Sequence, residues 1–173
     1  MSSGVESFSQ YQSRLRDVAS ATSPLRGLAF CLWCRDRAIT EFGNTVWDGL
    51  DPADRRTVDS ILGELDQALA HGKLIAPDRA ASLQTEVAAL GPEGDAAQEV
   101  HSDAVEMRIL IWHTLDFCRT QSPAALCAVS EAIVNSWDLR MSEEQGYSNE
   151  NMFSFSSLKK ELELQEAYLE NPN

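Results

Sequence analysis

The sequence predicts an all-α fold, an irregular bundle of about six or seven helices, and three features of the chain predict it. Apolar residues recur at steps of three and four rather than in alternation. Ser or Asp followed by Pro repeatedly opens such a stretch, pairing an N-cap with a proline at the first helical position. No segment sustains the period of two that a half-buried strand needs.

The elements follow in order. Val5, Phe8, Tyr11, Leu15 and Val18 give a first helix over about Val5–Ala19. Ser23-Pro24 opens a second, through Leu25, Leu28, Leu32, Trp33, Ile39 and Phe42, with Gly43-Asn44 as its end or a break before Trp47. Asp51-Pro52 opens a third, faced by Val58, Ile61, Leu62, Leu65 and Leu69 and closed at His71-Gly72. Ala76-Pro77-Asp78 begins a shorter fourth helix, which Gly91-Pro92-Glu93-Gly94 stops. The fifth, about Ala96–Arg119, is the most apolar and reads as a central helix covered on several sides. Ser122-Pro123 opens a sixth helix that runs to Met141. Residues 1–141 therefore form a helical bundle domain. Residues 142–173 form a polar connection and a C-terminal helix from Ser156 to about Leu169, either docked through Leu158, Leu162 and Leu169 or mobile.

Charge narrows the functional classes. The formal net charge is -13. Residues 1–50 are neutral, with five bases and five acids; residues 51–100 carry four against ten, and residues 101–173 carry five against twelve. That field repels phosphate backbones, so nucleic acid is an unfavourable partner. No apolar run approaches the length of a membrane span, and the N-terminal residues lack the basic and apolar regions of a secretory signal. A cytoplasmic address and no membrane partner are the expectation. The acidic two-thirds suit a protein partner with a basic surface.

Catalytic and cofactor signatures are sparse. Cys31 and Cys34 form a C-x-x-C, but Phe30 and the residues before it place the pair inside a helix, where amides are already committed; Cys118 and Cys127 stand nine apart across a proline. All four read as reduced core residues. His71, His101 and His113 share no zinc spacing, so neither a metal site nor a cofactor is predicted, and no catalytic residue is assigned. Arg35 and Arg37 beside bulky apolar residues either face solvent or, turned inward, need carboxylate or carbonyl partners, for which Asp103, Glu106, Asp116 and Asp138 are candidates.

Two candidate sites result. Trp137 with Asp138, Glu143 and Glu144 combines an aromatic anchor with an acidic rim, a pattern that suits protein recognition. The alternative is a polar pocket among Arg37, Glu106, His113, Asp116 and Asp138, in which a carboxylate could orient His113 as a base.

The stretch Phe30-Cys31-Leu32-Trp33-Cys34-Arg35-Asp36-Arg37, followed by Thr40 and Phe42, resembles the bacterial YjaG-like family of uncharacterised helical proteins. Asp36-Arg37 and Phe42 look like that family's acid–arginine pair and aromatic, while Thr40 stands where the family has proline. The helices around Ala104–Cys118 and Ala124–Met141 are similar in character, so the resemblance reaches across residues 10–141 and not beyond. It implies an all-helical fold and no particular reaction. Small acidic helical proteins of this kind also recur as immunity proteins beside bacterial toxins, an analogy of fold and charge. The leading expectation is a noncatalytic protein-binding module, with an immunity protein that neutralises a basic toxin domain as its specific form. A small-ligand protein or enzyme using the polar pocket, and a structural homodimer, are the alternatives.

Overall fold

A computed structural model describes residues 8–92, 100–142 and 156–171. Its elements are α1 (Phe8–Ala21), α2 (Pro24–Phe42), a 3-10 turn (Gly43–Trp47), α3 (Pro52–Ala70), α4 (Pro77–Ala88), α5 (Ser102–Thr120), α6 (Pro123–Met141) and α7 (Ser156–Glu170). The seven helices form an all-α bundle, and no strand occurs among the described residues. Glu143 and Glu144 lie outside the described residues.

The helix starts obey the cap chemistry. Ser23, Asp51 and Ser122 each turn a side-chain oxygen onto first-turn amides, and proline follows each of them. The fifth helix begins later than its apolar pattern suggests. His101 takes the cap position, its Nδ1 accepting from the Asp103 amide at 3.2 Å, and Val100 is not helical. Gly43, at φ +63°, ends α2 before the 3-10 turn.

Helix α5 sits at the centre and packs against α6, α4 and α2. Ala104, Met107, Leu110, Ile111, Leu115 and Cys118 point from it into the core. Gly27 on α2 lies under the Phe117 ring of α5, and a Cβ at that position would overlap the ring. Close approach of α2 and α5 therefore requires glycine there. Cys31, Cys34, Cys118 and Cys127 are all buried free thiols. Burial pushes the Cys118 thiol up to about 11, so it stays protonated and behaves as a small apolar residue.

Helix α7 lies against α1, α2 and α6. Leu158, Leu162 and Leu169 face inward, each worth about 1.5–3 kcal/mol of burial. A buried polar chain accompanies them. The Tyr11 hydroxyl donates to Gln165 Oε1 at 2.6 Å, Ser130 also bonds both Tyr11 and Gln165, and Gln165 Nε2 donates to Glu161 Oε1 at 3.1 Å. Arg37 ends the chain, donating through Nη2 to Glu161 Oε2 at 2.6 Å. The Glu161 side chain has 0% exposure. At the far end of α7 the Tyr168 ring stacks on Trp33, with centroids 4.9 Å apart, and Arg26 lies 4.4 Å over it.

Removing Arg37 alone leaves a buried carboxylate without its cation. Arg37→Met should cost about 3 kcal/mol in urea denaturation, and adding Glu161→Leu should restore most of that loss. An additive double variant would show that the two side chains do not act as a pair.

Candidate functional site

Three places on the bundle carry the functional candidates, and α5 borders all of them. The first is the junction of α5, α6 and the 3-10 turn. Asp103, with 0% side-chain exposure, accepts through Oδ2 from Arg140 and from the Thr45 hydroxyl, the latter at 2.6 Å. Its Oδ1 is buried and has no hydrogen-bond partner among the described residues. Arg140 also lies 4.8 Å over the Phe42 ring, and the Trp137 indole meets Phe42 edge-on at 5.3 Å. Trp137 is thus half-buried, with its Nε1 buried and unbonded among the described residues. Asp138, beside it on α6, is half-buried and the neighbouring Leu139 is exposed.

Glu106 and Asp103 border a crevice here with Ser136, Phe42, Met107 and Ile133, too narrow to admit a water molecule. Asn135 Nδ2 reaches Glu106 Oε2 at 3.4 Å. Burial raises the Glu106 carboxyl above the usual carboxylate range, with that hydrogen bond opposing and the nearby Asp103 charge adding to the rise.

The second place is the outward side of α5, where Glu106, His113 and Asp116 share one flank beside α6. His113 is half-buried, with Nδ1 enclosed and unbonded among the described residues, and its ring meets that of Trp112 edge-on at 5.0 Å. Burial lowers the His113 pKa, while Asp116 and Glu131 pull it back upward. Asp116 accepts from Arg119 at 2.8 Å and Glu131 from Gln12 at 2.7 Å.

Arg37 is spent elsewhere. It bridges Glu41, at 2.7 Å, and Glu161 at the α7 seam. Arg35 pairs with Asp36 and with Asp66 of α3, each at 2.8 Å. The partners expected from α5 and α6 are therefore replaced by acids of α2, α3 and α7. The sequence requires a partner for each arginine turned inward but carries no register to decide which helix faces it. Of the polar-pocket set, the structure groups Glu106, His113 and Asp116 on α5 and assigns Arg37 to a different seam.

The third place was hidden in the sequence. Val87, Ala88, Leu90, Val105, Arg108, Ile109 and Trp112 line an open groove of about 240 Å³ between α4 and α5. Val105 and Ile109 are each 38% exposed. The apolar pattern of α5 predicts a central helix covered on several sides, yet its apolar residues divide into two faces. Ala104, Met107, Ile111, Leu115 and Cys118 face the core, whereas Val105, Ile109 and Trp112 form an outward line at steps of four and three. Gly91, at φ +87°, lets the Arg108 guanidinium lie across the groove floor, where Nη1 donates to Leu90 O at 2.8 Å and Nε to Ala104 O at 3.3 Å.

A larger cleft of about 420 Å³ lies between α3 and α4, bordered by Glu64, His71, Lys73, Leu74, Ile75 and Arg79. Its strongest cation and anion neutralise one another, for Arg79 makes a two-point bond to Glu64 and holds that carboxyl below its usual range.

Among the described residues, no three metal-ligating side chains gather, and no helix is long and apolar enough to cross a membrane. No protein-family model, curated protein or solved structure matches the chain.

The depressed His113 pKa fixes the sign of one pH effect. As pH falls through 6.5 the unfolded chain takes up the proton before the folded one does, so this group's contribution falls below neutrality and is restored above it. Chemical denaturation at pH 5 to 8 should show a shallower rise of stability with pH in His113→Gln than in the parent. Parallel curves would contradict the assignment.

Proposed function

We propose that the chain is a noncatalytic protein-binding module for a partner with a basic surface, and that an immunity protein neutralising a basic toxin domain is the specific form of this role. The observation that supports the reading is the excess of acids over bases, with most of the arginines already engaged within the chain. The chain has 27 acids and 14 lysines and arginines. Arg14, Arg35, Arg37, Arg55, Arg79, Arg119 and Arg140 are engaged by carboxylates of the chain itself. Arg26 and Arg108 are engaged by backbone carbonyls. Cations so committed are less available to the surroundings, and the surplus carboxylates set the external field. Exposed acids such as Asp17, Asp48, Asp78 and Glu163 lie on several helices and loops.

Such a field accelerates encounter with a basic protein and discourages acidic ones. Affinity then needs a desolvated anchor at the centre of the contact. Trp137 with Asp138, Glu143 and Glu144 is one candidate edge; Trp112, in the open groove, is another. The YjaG-like resemblance accords with a helical module and assigns no reaction to it.

Co-expression with the product of the adjacent gene tests the reading. A complex should form and protect cells from that product, and raising salt from about 0.05 to about 0.5 M should weaken it at least tenfold. No complex and no protection would count against the proposal.

A further inference from the structure

The outward line of α5 is an apolar face with an electrostatic edge. Val105, Ile109 and Trp112 recur at i, i+4 and i+7, so they present one ridge about two turns long. Solvent reaches this ridge, while Val87 and Ala88 of α4 and Leu90 just after it form the opposite wall of the groove. The two flanks differ in charge. Toward α4 lies the Arg108 guanidinium, held by two carbonyls. Toward α6 lies Glu106 of α5, with Glu131 of α6 beside His113, whereas Asp116 is paired with Arg119 at 2.8 Å.

From this arrangement we infer that the α4–α5 groove docks an amphipathic helix of a basic protein, with apolar residues on the Val105–Ile109–Trp112 ridge and lysines or arginines over Glu106 on the α6 side. The spacing of the ridge matches the face that such a helix offers. The charge order sets orientation, because the basic edge of the incoming helix meets Glu106 on the α6 side and Arg108 repels it on the α4 side. A second copy of this chain is a poor occupant, since it would bring a net charge of -13 against an equal one. This inference rests on the protein-binding reading and adds the surface and the chemistry of the partner.

The test uses the full chain, labelled with 15N, and a synthetic amphipathic helical peptide bearing leucines on one face and lysines along one edge. Saturable shifts should gather at Val105, Arg108, Ile109 and the Trp112 indole, leaving the Trp33 indole unmoved. Ile109→Asp should weaken binding roughly tenfold and Glu106→Gln roughly threefold. Ile109 is partly exposed, so the variant is expected to keep its fold, which its own spectrum verifies; Leu139→Asp, on α6, should bind like the parent. Saturable shifts centred on Trp137 instead, insensitive to Ile109→Asp, would overturn the groove and leave the protein-binding reading standing. No saturation by about 1 mM peptide would overturn the groove as a site for basic helices, while the complex with the adjacent gene product decides the broader reading separately. A parent chain that light scattering finds dimeric, and that Ile109→Asp makes monomeric, would give the face to a second copy and overturn the proposed occupant.

Discussion

A carboxylate without access to water constrains this bundle more than any other group. Glu161 sits on the inward side of α7, and burying its charge would be prohibitive without a cation and further donors. Arg37 supplies the cation and Gln165 a donor, and Gln165 is in turn held by Tyr11 and Ser130. Four helices thereby meet at one hydrogen-bonded chain: α1, α2, α6 and α7. The leucines of α7 provide the bulk of the burial energy, but leucine rows tolerate sliding. The polar chain does not, since a shift of one residue would strand a charge.

Charge pairing recurs across the bundle. The Arg37 charge is offset by Glu161, and the same offset occurs at Arg35 with Asp66 and at Arg140 with Asp103. The 27 acids outnumber the 14 lysines and arginines, so the field outside the chain is negative. On that background the α5 ridge is unusual because it is apolar, grooved and bordered by acids on one side only. Field, anchor and orientation occur together there, and these are the elements protein recognition uses.

Much of the fold could be read from the residues because local rules and tertiary packing agree. Ser23-Pro24, Asp51-Pro52 and Ser122-Pro123 mark helix starts in the sequence and cap them in the structure. Where a cap was supplied by an unusual residue, the boundary was misplaced: His101 starts α5 although the apolar pattern extends upstream. The site was less legible. An inward Arg37 requires a partner, but that partner lies 124 residues away, a pairing that periodicity cannot encode. Val105 and Ile109 belong to an apolar helix of the sequence, and its overall hydrophobicity does not distinguish them from core residues. Plotting those residues around the helix separates the outward line from the core face, so the signal was present in the sequence and lay in direction rather than composition.

Amide hydrogen exchange on the full chain tests most directly whether α7 belongs to the body that Glu161 and Arg37 close. The account predicts that amides in the middle of α7, around Leu162 and Gln165, exchange as slowly as those of α5 and lose protection together with them as denaturant rises. Exchange of the α7 amides at the rate of an unstructured peptide, with α5 still protected, would contradict it.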